Sequence, residues 1–432
     1  MREFLTNLKS RNMIIEINKR VSAHEIPALL EKLDGKPVLF NQVEGTPYRV
    51  VGNICSSRDL LALALNVRKE DLLFRLAEAF EKRSEPAIIK NGRCQEVTEK
   101  VDLNNLPILT HTAGDGGPYI TAGVFIIRDP EFGRNVSFHR LMKLDDKRFA
   151  TRLVEERHTD VYLKKTGGEM EVAICIGNHP SLLLAAATSL DITVDELEVA
   201  NSLRELKLVK CKKVDLEVPA DCEIVLEGKI TSERVDEGPF LDLTSTYDIV
   251  RKQPVVEIKH FTHAKNPIYQ ALLPGGLDHK LLMGMPREPA IFNEVNKVCE
   301  CKNVLITPGG CSWLHGIVQI HKKNPEDGKN AIEAAFRAHK SMKHVVIVDD
   351  DIDIYDLNSV EYAIATRFQA SKNLILKKDK GSSLDPSANQ VTRETTKMGI
   401  DATIPSDKDR SHFIPAKILG KDTIRVEDYV SQ

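Results

Sequence analysis

The chain has 432 residues, 42% of them hydrophobic and 28% charged, the balance of a globular protein large enough for two or three cores. A formal net charge of −3 excludes a protein built mainly to hold nucleic acid or an anionic membrane surface, and no apolar run reaches bilayer length. The opening MREFLTNLKSRN lacks the apolar stretch of a secretory signal, and among eight scattered cysteines only Cys299 and Cys301 stand close. That usage predicts reduced thiols in a cytoplasmic protein.

Residues 1–106 alternate helical and extended patterns, an N-terminal α/β region. Ser22-Ala-His-Glu25 has capping-box spacing and opens an apolar-periodic stretch to Leu33. A short strand follows at Pro37–Asn41, then helices over Asp59–Leu65 and Glu70–Lys82. At Pro107 the texture changes to a strand-rich region extending to 310. THTAGDGGP at 110–118 is a loop, and Ile120–Arg128 a strand. Asn135–Leu144 and Arg148–Val154 form a hairpin turned by Asp145-Asp146-Lys147. Further strands are predicted at Val172–Ile176, Cys222–Ile230 and Pro254–Thr262, with helices over Ser181–Leu190 and Val194–Leu203. Alternation then resumes as a C-terminal α/β region, 311–432. Flanking its start are a helix at Pro289–Val298 and a strand at Asn303–Thr307. Helices follow at Lys329–Ala338 and Val360–Ser371, and strands at His344–Val348 and Leu374–Leu376. The polar tail after Ser406 is expected on the surface or against a partner subunit. The class is α/β in the broad sense, α+β in detail.

Polar side chains suited to chemistry gather in the middle region. Asn135, Ser137, His139 and Arg140 crowd one strand, NVSFHR, with Phe138 between them. Period-two alternation puts Asn135, Ser137 and His139 on one face and Phe138 and Arg140 on the other. A solvated strand carries such a mixture without function as often as with it. TRLVEERHTD, 151–160, adds Arg152, Arg157 and His158, good partners for phosphate or metal. RVDEGPF sets Glu237 before a stiff Gly238-Pro239 turn. Asparagine oxygen, histidine nitrogen and glutamate oxygen suit a hard cation such as Mn²⁺ or Mg²⁺. Asp278 lies on a strand-to-helix junction beside two glycines, where it is an N-cap or a proton-transfer group. Lys397, in the late segment 381–403, could close over a phosphate or simply be solvated. The GGP and PGG segments match neither dinucleotide nor P-loop patterns. The acids of Val348-Asp-Asp-Asp351 read as an exposed strand end.

NVSFHR, RVDEGPF, RFQA followed by GSSLDPSA, and TTKMGIDAT, in this order over nearly the whole chain, resemble the signature stretches of the UbiD family of reversible decarboxylases. The resemblance implies a central split β-barrel that holds prenylated FMN, flanked by α/β regions. It also implies Mn²⁺, a monovalent cation such as K⁺, homo-oligomers built on dimers, and a flavin prenyltransferase that supplies the cofactor. The reaction implied is loss of CO₂ from an α,β-unsaturated acid through a cycloadduct with the modified flavin. By matching positions, Asn135 and Glu237 resemble metal ligands. His158 resembles a third ligand that only some members carry. Ser137, Phe138, His139, Arg140, Arg152, Leu153, Val154, Arg157 and His158 fall in flavin-contacting segments, and Lys397 resembles a residue reaching the cofactor phosphate.

Asp278 falls where the family keeps its proton-transferring acid. Many relatives carry Asp-Glu at that step; this chain carries Leu277-Asp278-His279, and a second acid has no match. Arg140 would bind the substrate carboxylate and pair with Asp278, lowering that acid's pKa. Within the family the chain resembles an archaeal branch that converts trans-anhydromevalonate 5-phosphate to isopentenyl phosphate in isoprenoid synthesis. A phosphorylated substrate needs basic groups, and Arg287 and Lys280 are candidates. The alternatives are an aromatic acid, such as a 4-hydroxybenzoate precursor of a quinone, and a flavin-binding partner without turnover.

Overall fold

A computed structural model describes residues 1–416, 418–420 and 423–430. In the N-terminal layer, the strands Ile15–Ile17, Val38–Phe40 and Arg49–Gly52 form a small sheet completed by Ile268–Gln270 from the middle of the chain. The capping box is made. The Ser22 N–H donates to the Glu25 carboxylate at 2.7 Å, and the helix Glu25–Lys32 buries Ile26 and Leu30 behind it. Leu39 and Val51 of this layer share a core with Val124 and Ile126 of the central sheet, so the two layers pack as one.

The central sheet has nine strands, all antiparallel, in the order Tyr119–Ile120, Leu141–Lys143, Arg148–Thr151, Arg251–His263, Ile224–Glu237, Met170–Ile176, Val124–Asp129 and Gly133–Phe138, with Val97–Glu99 added beside Arg251–His263. The hairpin is present, pairing Thr151 with Leu141 and Phe149 with Lys143. The path is open, yet only His139 and Arg140 link the last strand, Gly133–Phe138, to Leu141–Lys143 near the opposite edge. Three peptide steps reach at most about 11 Å, so the sheet must curl until its two edges face each other at these residues.

The long strand Ile224–Glu237 slips register against Arg251–His263 at Glu227/Gly228 and again between Ile230 and Arg234. At the first slip a Cβ on Gly228 would lie 2.1 Å from the Glu257 carbonyl oxygen, so only glycine allows the approach. The second puts Pro254 opposite Arg234, where the ladder is already broken and its missing N–H costs little. Such bulges bend and twist a strand, and this one delivers Glu237 to the sheet's interior.

The C-terminal sheet runs Glu300–Ile306, His315–His321, His344–Asp349, Glu394–Asp401, Leu374–Lys380; its first strand therefore begins before residue 310. The helix Asp327–Ala338 covers one face with Ile332 and Phe336, and Leu357–Arg367 covers the other with Val360 and Ala363. The segment expected to close over a phosphate is instead the interior strand Glu394–Asp401. Nor is Val348-Asp-Asp-Asp351 uniformly exposed: Asp349 is buried and, with Asp351, binds the buried Arg367 at 2.7–2.8 Å. All eight cysteines are free. Among the described residues no helix is long and apolar enough to cross a membrane. In the tail Ile418, Leu419, Val426 and Tyr429 are exposed.

Candidate active site

Two clusters sit at the ends of NVSFHR. The first surrounds Asn135, which is buried. Its amide nitrogen lies 3.3 Å from His158 Nδ1 and donates to Glu196 at 3.0 Å. Its oxygen accepts from Ser137 and Thr159 hydroxyls, each at 3.3 Å. The second Glu196 oxygen accepts the Val136 N–H at 2.7 Å. Glu196 is 1% exposed, has no basic partner in this network, and is pushed up to about 8 by burial. Burial, then Arg157, keeps His158 below its ordinary range and therefore neutral, the form that binds metals. A carboxylate, an amide and a neutral imidazole meeting without a counter-charge fit a divalent cation. Among the described residues no three His, Cys, Asp or Glu side chains gather as a metal site; this trio counts an asparagine.

Nothing in the sequence singles out Glu196, because an acid in the first turn of the helix Glu196–Leu203 reads as ordinary dipole complementation. Glu237, expected as a ligand with Asn135, makes its hydrogen bonds in the second cluster. Its oxygens accept Arg140 Nε and Nη2 at 2.8 and 3.0 Å and the Tyr119 hydroxyl at 3.0 Å. Those three bonds hold it beside Arg140 and leave Oε2 with room for a further partner.

The second cluster is built on Arg140. Besides Glu237 it bonds Asp248 at 3.0 Å, stands 3.9 Å from Asp242, and lies over the Phe240 ring at 4.8 Å. Burial opposes its charge most strongly, but Glu237, Asp248 and Asp242 together hold the guanidinium above its usual range. Asp248 is held low against burial by Arg251, at 2.6 Å, and by Arg140. Arg152, whose Nε stands 3.9 Å from Asp248, is pushed down by burial and then by Arg251. The guanidinium-rich side of the cluster thus suits a further anion.

The remaining expected residues divide. Ser137 and His139 join Thr159 at 2.9–3.3 Å, and burial pushes His139 down to about 4. Phe138 packs on the core, Leu153 is buried, and Val154 and Arg157 are exposed. Lys397 is not brought to either cluster. Its ammonium is buried in the C-terminal sheet, donating to the Lys340 carbonyl at 2.7 Å with Asp379 at 3.2 Å. Asp278 does not pair with Arg140 either. It is buried at the second position of the helix Leu277–Gly284, not its cap, and accepts the Cys55 N–H at 2.5 Å. Burial pushes it up to about 7, opposite to the lowering expected from an Arg140 partner. Its neighbour His279 is the side chain that feels Asp242 and Arg140.

Known proteins resemble this chain over nearly its whole length. Residues 5–80, 87–277 and 280–402 match the N-terminal, Rift-related and C-terminal domains of 3-octaprenyl-4-hydroxybenzoate carboxy-lyase, the UbiD family. Anhydromevalonate phosphate decarboxylase of Methanocaldococcus jannaschii is 47% identical over 98% of this chain and 100% of its own. The UbiD-class enzyme HmfF from Pelotomaculum thermopropionicum in complex with FMN superposes with a TM-score of 0.95 at 40% identity, over 99% of both chains. An evolved dimeric form of HmfF in complex with prFMN gives 0.91 at 38% identity over 99% of both chains.

Proposed function

The chain belongs to the UbiD family and is a carboxy-lyase, and from that premise we propose that it decarboxylates trans-anhydromevalonate 5-phosphate to isopentenyl phosphate with prenylated FMN as cofactor. One observation carries the reading: one short stretch presents a cation cradle at Asn135, on the strand Gly133–Phe138, and, five residues on in the link that follows it, a guanidinium gripped by carboxylates. The relatives' names supply the substrate, and the HmfF complexes supply the flavin. We read the curled, bulged sheet as the family's split barrel. Asn135, His158 and Glu196 would hold Mn²⁺, which supplies charge to fix the cofactor phosphate; K⁺ is the expected companion. A flavin prenyltransferase as supplier and an oligomer built on dimers belong to the same reading.

The bound prenylated flavin supplies the electron sink for the carbanion left by CO₂. Arg140 binds the substrate carboxylate. Two bonds from Glu237 fix the guanidinium plane, and Phe240 beneath it excludes water from one face. Asp242, at 3.9 Å, is the most loosely held of the three acids around Arg140. A substrate carboxylate on that side of the guanidinium takes the place of Asp242, which is then free to carry a proton taken from solvent. Once CO₂ has left, Asp242 gives that proton to the carbon.

The test is protein reconstituted anaerobically with prenylated FMN and offered the phosphorylated acid and 4-hydroxybenzoate side by side. Release of CO₂ with formation of isopentenyl phosphate is expected. Turnover of the aromatic acid alone, or flavin uptake with no CO₂, would overturn the reading.

A further inference from the structure

Asp242 sits on a piece of structure outside the curled sheet. Phe240–Leu241 and Tyr247–Asp248 pair as a two-stranded sheet of their own, Leu241 opposite Tyr247 and Phe240 opposite Asp248. The Asp242 N–H donates to the Thr246 carbonyl, and the Ser245 N–H to the Asp242 carbonyl, each at 2.9 Å, so the acid stands where the hairpin turns. A lone two-stranded hairpin is marginal at best in water, and this one needs an outside support to hold its acids against Arg140.

Alternation along the two strands sorts their residues. Phe240, Asp242 and Asp248 all approach Arg140. Leu241 and Tyr247, each directly before one of the two acids, are tied instead to the loop 110–118. The Leu241 N–H donates to Asp115 Oδ1 at 3.3 Å. The Tyr247 hydroxyl donates to the Thr112 hydroxyl at 2.9 Å, and the Thr112 hydroxyl donates in turn to Asp115 Oδ1 at 2.9 Å. Leu241, Asp115, Thr112 and Tyr247 thus close a ring through the hairpin's own pairing.

The ring is anchored at Asp115. Its side chain is fully buried, and its second oxygen accepts the His111 and Thr112 N–H groups at 2.9 and 3.0 Å. Among the described residues its only ion-pair candidate is His111, 3.8 Å away and pushed down to about 4 by burial, so hydrogen-bond donors alone meet its charge. A carboxylate satisfied in this way holds its donors firmly. Beside it the Gly116 N–H donates to the Pro239 carbonyl at 2.8 Å, and a Cβ on Gly116 would lie 2.2 Å from the Gly238 carbonyl oxygen. Only glycine lets the loop meet the hairpin so closely.

We infer that Thr112 and Asp115 are positioning residues for the proton transfer: the ring they close with Leu241 and Tyr247 sets where Asp242 stands after CO₂ has left. This rests on the decarboxylase reading above. The side chain of Asp242 is loosely held, yet it returns to one place because the restraint acts on its backbone.

The experiment compares reconstituted holoenzymes of wild type, T112V, T112S, Y247F and T112V/Y247F, with thermal melts and flavin absorbance to confirm folding and loading. T112V removes both hydroxyl links at nearly constant shape. Its kcat for the phosphorylated acid should fall by roughly 10- to 100-fold, with KM within about twofold because Arg140 still binds the carboxylate. T112S keeps the hydroxyl and should recover most of kcat. The double variant should be no slower than T112V, since both links belong to one chain. Deuterated solvent should slow T112V more than wild type, as protonation becomes the limiting step. Wild-type kcat in T112V, a T112S as slow as T112V, an unchanged solvent isotope effect, or a loss that merely follows flavin content overturns the inference. Independently of turnover, amide hydrogen exchange at Leu241 and Asp242 should be faster in T112V. Equal protection in T112V and wild type sinks the ring whether or not CO₂ is released. A wild-type holoenzyme that releases no CO₂, while the T112V hairpin exchanges faster, sinks the decarboxylase reading and leaves the ring standing.

Discussion

Glu196 and Glu237 are the two acids that could serve the cation, and their variants tell them apart. Replacing Glu196 by Gln removes the one carboxylate of the cation cradle, so purified protein should lose metal and flavin together, measured by elemental analysis and absorbance. Replacing Glu237 by Gln leaves the cradle intact and frees Arg140 from its strongest tether; flavin should stay while CO₂ release falls by about 100-fold or more. If Glu237→Gln instead loses the metal, Glu237 is restored as the ligand. Asp278 invites a second comparison. Asp278→Asn keeps an acceptor for the Cys55 N–H but buries an unpaired amine, a cost of about 1–3 kcal/mol, so Tm should drop by a few degrees while turnover stays within about threefold. An unchanged Tm with abolished turnover would return Asp278 to the reaction. Asn135 and Arg140 were legible because polar side chains crowd the short stretch NVSFHR, and Glu237 because it stands before the stiff Gly238-Pro239 turn. Glu196 and Asp242 were not, since acids in a helix's first turn and in a loop look ordinary.

Among elements, the helices and most strands followed from periodicity, and the misses share a cause. Glu394–Asp401 looked like a loop because Thr395, Thr396 and Lys397 dilute its apolar pattern; it is a strand because neighbours on both sides supply its hydrogen bonds and Lys340 and Asp379 satisfy its buried lysine. Tertiary context overrides weak propensity in this way. A comparable long-range tie joins the N-terminal helix Arg58–Leu65 to the helix Glu288–Asn296. Arg58 bonds the fully buried Glu288 at 2.8 and 2.9 Å, and Glu288 also accepts the Ile306 N–H. Arg58→Ala strands a charge in the interior and should destabilise by about 3–5 kcal/mol in denaturant melts. A loss below about 1 kcal/mol would show that water reaches Glu288.

At the scale of the molecule, His111, His139, His315 and His339 are each held near 4 by burial, against an ordinary value of about 6.5. The fold favours their neutral forms. Their contribution is therefore complete above about pH 6.5, shrinks as pH falls toward 4, and is gone below it. The buried acids Glu196 and Asp278, pushed up, pull the other way, so the contribution is isolated by comparison: Tm of His339→Gln should fall less than that of wild type between pH 6.5 and 4. Parallel curves would place the titration elsewhere.

The two-residue link between the sheet's edges has a further consequence. His139 and Arg140 are the rivet across a seam that has no hydrogen-bonded ladder of its own, and Arg140 is also the group that grips the carboxylate. Any breathing that parts the edges pulls the guanidinium off Glu237 before a single strand is lost. Catalytic competence should therefore vanish on gentle warming or in dilute urea ahead of the cooperative transition, making turnover the most sensitive gauge of how tightly the sheet is wound.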